Sequence, residues 1–218
     1  MSPELLAPQI QIVLVEDHPP VRQGLELLLT RQGFRMIGSA PGAEEGTRMI
    51  RARRPDVAVV DIDLGDGSGI DLAQAASDDG LATAIVLYTG SINSAVIDRA
   101  MTSGARALVL KTSPMQHMAD AIRAAAAGRD YVDPAVAGMA QRIGAQGPRR
   151  ASKREAQVLG LLAGGRTTEQ VAEVLVISPE TVQTHVRNAT RKLGARGRLH
   201  AVILALRNGE IDMPDDAR

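Results

Sequence analysis

Short apolar runs that end in a polar or charged residue recur along the first part of this chain, and they constrain its fold more than any other feature. Five of them are rich in β-branched residues and alternate with amphipathic stretches of helical period. They are IQIVLV (10–15), FRMIGS (34–39), VAVVD (57–61), AIVLYT (84–89) and ALVLK (107–111). This alternation predicts a doubly wound α/β domain with a five-stranded parallel sheet.

The residues at the ends of these runs form an unusual chemical set. In an open doubly wound sheet, residues at the carboxyl ends of the strands converge on one crevice. Here they are carboxylates, a hydroxyl and an ammonium group: Glu16, Asp17, Asp61, Thr89 and Lys111. Clustered carboxylates repel one another unless a cation holds them, and Mg²⁺ is a hard divalent ion that suits oxygen ligands. The set predicts Mg²⁺-dependent phosphoryl transfer onto a carboxylate.

Three carboxylates, Asp61, Asp63 and Asp66, fall within six positions that begin at the last residue of the third run, which raises the possibility of a calcium loop. Such a loop needs oxygen ligands at positions 1, 3, 5 and 12 and glycine at position 6. Counted from Asp61, the sixth position is Asp66 and the twelfth is Leu72, so the register excludes a calcium loop. Each carboxylate alone would be an ordinary solvated turn residue. A site is predicted only because polar residues also stand at the ends of the other strands, at the same edge of the sheet.

Charge divides the chain into an acidic and a basic part, although the net formal charge is zero. Residues 1–147 carry 13 Lys and Arg against 17 Asp and Glu, whereas residues 148–218 carry 12 against 8. The basic part could therefore bind a polyanion. The chain has no cysteine, no signal-peptide pattern and no apolar run near the ~20 residues of a membrane span, so we expect a cytoplasmic protein without a membrane partner.

The sequence of the second half of the chain predicts a linker followed by helices. Residues 129–150 contain several Gly and Pro residues and predict a partly helical linker. Beyond it, capping boxes begin at Ser152 and Thr167, and Ser178 precedes a proline at a helix start. These signals predict an all-α domain of four helices, near 153–163, 168–175, 179–193 and 200–208.

The second and third of these helices are separated by a short turn, which is the helix-turn-helix plan. The third helix has a buried stripe of apolar residues at helical spacing, formed by Val182, Val186, Ala189 and Leu193. Gln183, Thr184 and Arg187 therefore face outward near its N-terminal half, where they could read bases, and Lys192 could neutralise a phosphate. Aromatic residues make up only 1% of the chain, so double-stranded DNA is favoured over single strands.

Residues 8–128 resemble the receiver domain of two-component response regulators. The motifs that carry the resemblance are Glu16-Asp17, PDVAVVD ending at Asp61, LGDGSG, Thr89-Gly90 and GARALVLK ending at Lys111. The resemblance implies a flavodoxin-like fold and phosphorylation of Asp61 by a sensor histidine kinase. It implies that Glu16, Asp17 and the carbonyl of Asp63 hold Mg²⁺ beside Asp61, that Thr89 and Lys111 bind phosphoryl oxygens, and that Asp66 is a turn residue.

Three positions depart from the receiver pattern. Gly65 replaces the usual proline, and Thr112 replaces the residue usual after the lysine. Leu108 stands where many receivers have a Tyr or Phe that swings inward with the threonine, which puts that form of switching in doubt.

Residues 151–212 resemble the DNA-binding domain of the LuxR/NarL/FixJ family, through SPETVQTHVRNATRKL. The resemblance adds Thr181 and His185 to the predicted DNA-binding residues. In the last helix, Ala201, Leu204 and Ala205 lie opposite a bulkier apolar stripe, and we predict that they pack against a second copy in a homodimer. The alternative is that the linker or the receiver covers this face.

Together these patterns predict a DNA-binding response regulator that is not an enzyme, beyond phosphoryl transfer onto its own Asp61 and its hydrolysis. Two alternatives remain open at this point. One is a DNA-binding regulator that never uses phosphate and carries a vestigial Asp61. The other is a metal-dependent phosphatase that uses the same carboxylates.

Overall fold

The computed structural model describes residues 9–91, 93–143 and 151–212. The strands are β1 (Gln11–Val15), β2 (Arg35–Ala40), β3 (Val57–Asp61), β4 (Asp63–Leu64), β5 (Gly67–Ser68), β6 (Ala84–Thr89), β7 (Ala107–Leu110) and β8 (Tyr131–Val132). The helices are α1 (Pro19–Arg31), α2 (Ala43–Arg53), α3 (Gly69–Asp78), α4 (Ser94–Thr102), α5 (Met115–Ala126), α6 (Pro134–Ile143), α7 (Lys153–Ala163), α8 (Thr168–Leu175), α9 (Pro179–Leu193) and α10 (Arg198–Arg207). Residue 8 and residues 144–150 of the predicted receiver and linker lie outside the described ranges.

The main sheet is parallel, in the order β2-β1-β3-β6-β7-β8. The five predicted strands are confirmed, and their order is that of a doubly wound, flavodoxin-like sheet. The predicted number of strands is corrected, because the linker adds β8 as a sixth, two-residue strand beside β7. Its register joins Ala107 to Tyr131 and Leu108 to Val132, so the start of the linker belongs to the sheet.

Alternate residues of the buried strands supply two separate hydrophobic layers, as expected for a parallel sheet covered on both faces. On one face, residues such as Ile12 and Val59 pack with buried residues of α1 and α5. On the other face, residues such as Val13 and Val60 pack with α2, α3 and α4. The helices thus leave the carboxyl edge of the sheet as the place where polar side chains meet.

The four helices after the linker form the predicted all-α domain. The bounds of α7, α8 and α9 agree with the prediction, and both capping boxes are present, at Ser152 with Glu155 and at Thr167 with Gln170. The helix α10 begins at Arg198, two residues earlier than predicted. Its buried residues belong to the same hydrophobic cluster as those of α6 and of one receiver face, so the described parts of the chain share a continuous core.

The turn between α8 and α9 contains an unusual backbone conformation. Val176 ends α8 in the left-handed region, with φ of 53°, and its side chain is 89% exposed. This region is disfavoured for a β-branched residue, so the tight turn is held at some conformational cost. Among the described residues, no helix is both long and apolar enough to cross a membrane.

Candidate functional sites

A compact polar pocket lies at the carboxyl edge of the sheet. Glu16 directly follows β1, Asp61 ends β3, and Lys111 directly follows β7. The Lys111 Nζ donates to Asp61 Oδ2 at 2.7 Å and to Glu16 Oε2 at 2.8 Å. Both carboxylates are almost completely buried. The sheet therefore brings together three predicted residues that are 50 and 95 positions apart along the chain.

The pocket holds more negative charge than Lys111 balances. Burial raises the pKa of the Asp61 carboxyl, and the hydrogen bond and charge of Lys111 only partly oppose this effect. For Lys111, burial favours the neutral amine, but the hydrogen bonds that it donates to Asp61 and Glu16 outweigh burial and raise its pKa. The charged form of Lys111 is thus favoured, whereas burial disfavours the charged form of Asp61, and a further cation beside Asp61 would reduce that cost.

Asp17 and His18 complete the acidic side of the pocket. The His18 Nδ1 lies 2.7 Å from Asp17 Oδ1 and 3.3 Å from Glu16 Oε1, and the hydrogen bond with Asp17 raises the pKa of His18. Ligand atoms of Glu16, Asp17, His18 and Asp61 all lie within 4.8 Å of one another, a spacing that could hold a metal ion. His18 was not among the predicted site residues, although its position directly after the acidic pair was the available signal.

Asp63 and Thr89, two further predicted site residues, make local contacts in this conformation. The Asp63 side chain is exposed and outside the acidic cluster, and its backbone N–H donates to Asp61 Oδ1 at 3.3 Å. Thr89 is buried at the end of β6, but its hydroxyl donates to the carbonyl of Ser91 at 2.8 Å. The Asp63 N–H therefore contacts the pocket, its carbonyl stays a predicted ligand, and the Thr89 hydroxyl would have to turn to reach a group on Asp61.

Arg22, which was not predicted as a site residue, contacts the backbone of the acidic pair Glu16 and Asp17. The Arg22 guanidinium, on α1, donates from Nη1 to the carbonyl oxygen of Glu16 at 2.6 Å. It also lies 3.4 Å from the carbonyl oxygen of Asp17. These contacts stabilise the loop after β1. A single Arg one helical turn into α1 is common in sequences, so this role could not be predicted from it.

The exposed face of α9 presents polar side chains to solvent. The helix begins with Ser178 as N-cap, which accepts the N–H of Thr181 at 3.2 Å, and Val182, Ala189 and Leu193 are buried as predicted. Gln183, Thr184 and Arg187 are exposed, whereas Thr181 and His185 are partly buried. Within the described ranges, the Gln183 and Arg187 side chains make no hydrogen bond or ion pair. They are free to bind an external partner.

Comparison with known proteins identifies both halves of the chain. Residues 12–123 match the family model of the response regulator receiver domain, and residues 151–205 match that of the bacterial regulatory proteins of the luxR family. The transcriptional regulatory protein LiaR of Bacillus subtilis is 33% identical over 206 residues, which cover 91% of this chain and 98% of LiaR. The chain belongs to the LuxR family of response regulators.

Other relatives of this regulator agree with that assignment. The nitrate/nitrite response regulator protein NarP of Escherichia coli is 32% identical over 206 residues, covering 92% of this chain and 96% of NarP. The crystal structure of the response regulator ChrA, from a heme-sensing two-component system, is 30% identical with a TM-score of 0.54, covering 90% of this chain and 96% of that one. The chain is therefore a DNA-binding two-component response regulator, and neither alternative considered from the sequence is favoured.

The position of the usual aromatic switch is filled in this regulator by an aliphatic core residue. Leu108 is fully buried in β7, where it stands in register with Leu87 of β6 and Val132 of β8. It has no aromatic ring that could swing between solvent and core. Any response of Thr89 to phosphorylation must therefore proceed without such a ring.

Lys192, which we predicted to contact DNA phosphate, is exposed and forms an ion pair within this regulator. Its Nζ donates to both carboxylate oxygens of Glu155 at 2.8 Å, and Glu155 is buried. Glu155 also accepts the N–H of Ser152 in the capping box of α7. Lys192 thus joins α9 to α7, while its contact with DNA phosphate stays a prediction. Arg191, next to it, is also exposed and is a second candidate for that contact.

The predicted dimer face of α10 is covered within the same chain in this conformation. Ala201 and Ala205 are fully buried and Leu204 is partly buried. Besides α7 and α9, α10 contacts α6 of the linker and α4 of the receiver. An ion pair from Arg207 Nη1 to Asp98 Oδ1, 2.6 Å long, reinforces the contact with α4. Ala201 and Ala205 are therefore not open to a second copy in this conformation, and their contact in a dimer stays a prediction.

Proposed function

We propose that this regulator accepts a phosphoryl group on Asp61 from the phosphohistidine of a sensor histidine kinase, and that this modification controls its binding to DNA. The observation that carries the proposal is the position of the Lys111 ammonium. Its Nζ lies 2.7 Å from one oxygen of the buried Asp61 carboxylate, which the neighbouring carboxylates would otherwise repel. A fixed cation at that place can pair with a phosphoryl oxygen as charge develops on it. An Asp61 oxygen would bond to phosphorus as the phosphorus–nitrogen bond of phosphohistidine breaks, giving an acyl phosphate.

The residues around Asp61 fit Mg²⁺. Glu16, Asp17 and Asp61 supply carboxylate oxygens from one cluster, and the carbonyl of Asp63 is proposed as a further oxygen ligand. When bound, the ion would neutralise negative charge on the transferring phosphoryl group. Lys111 would bind a phosphoryl oxygen beside Asp61, and the Thr89 hydroxyl would bind another after turning away from Ser91.

The exposed polar face of α9 is proposed to read the major groove of double-stranded DNA. Gln183, Thr184 and Arg187 would contact base edges, with Thr181 and His185 beside them. Arg187 has five donors and no internal partner within the described residues, which suits bidentate contact with guanine. Lys192 would add positive charge near the DNA while remaining paired with Glu155.

Phosphorylation is proposed to act by releasing α10. The loop that carries Thr89 and Ser91 leads into α4, and Asp98 of α4 pairs with Arg207 of α10. If the Thr89 hydroxyl turned toward a phosphoryl group, it would leave the Ser91 carbonyl and allow this loop to shift. Loss of the contact between α4 and α10 would expose Ala201, Leu204 and Ala205, which could then pair with a second copy across a two-fold axis.

Mass spectrometry of the intact protein tests the chemical step. After incubation with acetyl phosphate and Mg²⁺, the parent protein should gain one phosphoryl group, whereas Asp61→Asn should gain none because the amide is not a nucleophile. A chelator should prevent the gain in the parent. Incorporation that persists in Asp61→Asn would place the acceptor elsewhere.

A further inference from the structure

The short hairpin that follows Asp61 is attached to a helix on its far side. The hairpin consists of β4 and β5 with Gly65 and Asp66 at its turn. The Asp66 carboxylate accepts the backbone N–H of Ala43 at 2.7 Å through Oδ1 and that of Glu44 at 3.2 Å through Oδ2. These are the first two residues of α2. Asp66 is thus more than the turn residue that the sequence predicted.

The start of α2 is built to receive this carboxylate. Its N-cap is Gly42, which has no side chain to accept the free N–H groups of the first turn. A β-carbon on Gly42 would lie 2.5 Å from both Asp66 oxygens, so glycine leaves the space that the carboxylate occupies. The N–H groups of Ala43 and Glu44 lower the pKa of Asp66, which keeps it charged near the positive end of the helix.

On its other side, the same hairpin touches the phosphoacceptor pocket. A β-carbon on Gly65 would lie 3.4 Å from Asp17 Oδ2, so the turn packs directly against a proposed metal ligand. The backbone N–H of Asp63 donates to Asp61 Oδ1 at 3.3 Å. The hairpin therefore lies between the start of α2 and two carboxylates of the pocket, and Asp66 fixes its outer side.

We infer that Asp66 is a positioning residue, which holds the hairpin against Asp17 and Asp61 so that the pocket binds Mg²⁺ tightly enough for phosphoryl transfer. This inference deepens the proposed function and rests on it for the role of the pocket. Without the carboxylate, the turn loses its attachment to α2, and the Asp63 carbonyl and the Asp17 carboxylate lose their fixed separation. Metal sites weaken when the groups that orient their ligands are removed.

A pair of variants separates positioning from simple helix capping. Asp66→Ala removes both the cap of α2 and the attachment of the hairpin. Adding Gly42→Ser gives α2 a cap of its own, and the space vacated by the Asp66 carboxylate accommodates the new side chain. The double variant restores the cap and leaves the hairpin unattached. Asp71→Ala is the matched control, because it removes an acidic side chain at the start of a helix, α3, as Asp66→Ala does at the start of α2, but lies outside the hairpin.

The experiment measures Mg²⁺ affinity by calorimetric titration, the thermal midpoint of unfolding, and phosphoryl incorporation from acetyl phosphate at a series of Mg²⁺ concentrations. We expect Asp66→Ala to weaken Mg²⁺ affinity about 10-fold or more, with incorporation largely recovered at saturating Mg²⁺. The double variant should recover the thermal midpoint but not the affinity, and Asp71→Ala should bind Mg²⁺ like the parent.

Two results would overturn the inference. One is an Asp66→Ala protein with the Mg²⁺ affinity of the parent, and the other is a double variant that recovers both midpoint and affinity, which would reduce Asp66 to an ordinary cap. The proposed function fails in a different way. If the parent binds Mg²⁺ with the expected dependence on Asp66 but gains no phosphoryl group, positioning stands and phosphorylation of Asp61 does not.

Discussion

The proposed phosphoacceptor pocket and the outer face of α9 differ in how their polar side chains are arranged. In the pocket, Glu16, Asp61 and Lys111 are drawn from distant parts of the chain, buried, and bonded to one another. On α9, Gln183 and Arg187 are neighbours on one helix, exposed, and without internal partners in the part of the chain that the structure describes. A site for a small ion can be organised by the protein alone, whereas a surface for DNA must leave its donors open.

The contrast is sharpest in the electrostatics of the two regions. The pocket contains several carboxylates and one ammonium group, so its charges are incompletely balanced unless a cation binds. The α9 face carries its charge in water, where each Arg is hydrated and costs the fold little. Changes in the pocket should therefore alter metal binding, and changes on α9 should alter DNA binding without affecting the pocket.

The largest effect is expected from Asp17→Asn. This change keeps the size of the side chain but removes one carboxylate of the acidic cluster. The Mg²⁺ concentration for half-maximal incorporation from acetyl phosphate should rise by at least the roughly 10–100-fold that loss of a supporting group costs a metal site. Incorporation should recover at high Mg²⁺. Asp120→Asn, an exposed carboxylate on α5, is the control and should leave the Mg²⁺ requirement unchanged.

Arg187→Ala should weaken binding to a preferred duplex by about 1–3 kcal/mol, because a base contact is lost. Duplexes selected from a random-sequence pool should also show a relaxed preference at one position. The neighbouring change Arg191→Ala should instead weaken all sequences alike and reduce the salt dependence by about one phosphate contact. If the two variants behaved identically on selected and random DNA, the assignment of Arg187 to base reading would be wrong.

A smaller effect, on stability rather than binding, is expected from Lys192→Ala. Its removal leaves the buried Glu155 carboxylate without its cation, and the free energy of unfolding should fall by about 1–2 kcal/mol, limited by the partial exposure of Lys192. The double variant Lys192→Ala with Glu155→Gln should recover part of that loss, as measured by urea unfolding. Equal stability of parent and Lys192→Ala would show that the pair contributes nothing.

The same contrast explains which features the sequence could predict. Strand order determines where the ends of β1, β3 and β7 meet, so Glu16, Asp61 and Lys111 could be placed together from their positions alone. The helical period likewise determines that Gln183 and Arg187 face outward when Val182 and Ala189 face inward. Both inferences depend on regular geometry within one element or one sheet.

Features that depend on contacts between separate elements could not be predicted in this way. The pairing of Lys192 with Glu155 depends on how α9 packs on α7, and the capping of α2 by Asp66 depends on where a hairpin 22 to 23 residues away comes to lie. Burial of Ala201 depends on the arrangement of α4, α6 and α10. The apolar pattern of α10 showed that a second partner was needed, but it could not distinguish another protomer from the regulator's own receiver.

The central claim, that events at Asp61 control the DNA-binding surface, is tested most directly by measuring DNA affinity in both phosphorylation states. Fluorescence anisotropy would follow a labelled duplex, selected from a random-sequence pool, as the regulator is added with Mg²⁺ in the presence or absence of acetyl phosphate. Acetyl phosphate should tighten binding of the parent by about 5–150-fold, the usual range of coupling between two sites, and leave Asp61→Asn unchanged. Equal affinity of the phosphorylated and unphosphorylated parent would contradict the account.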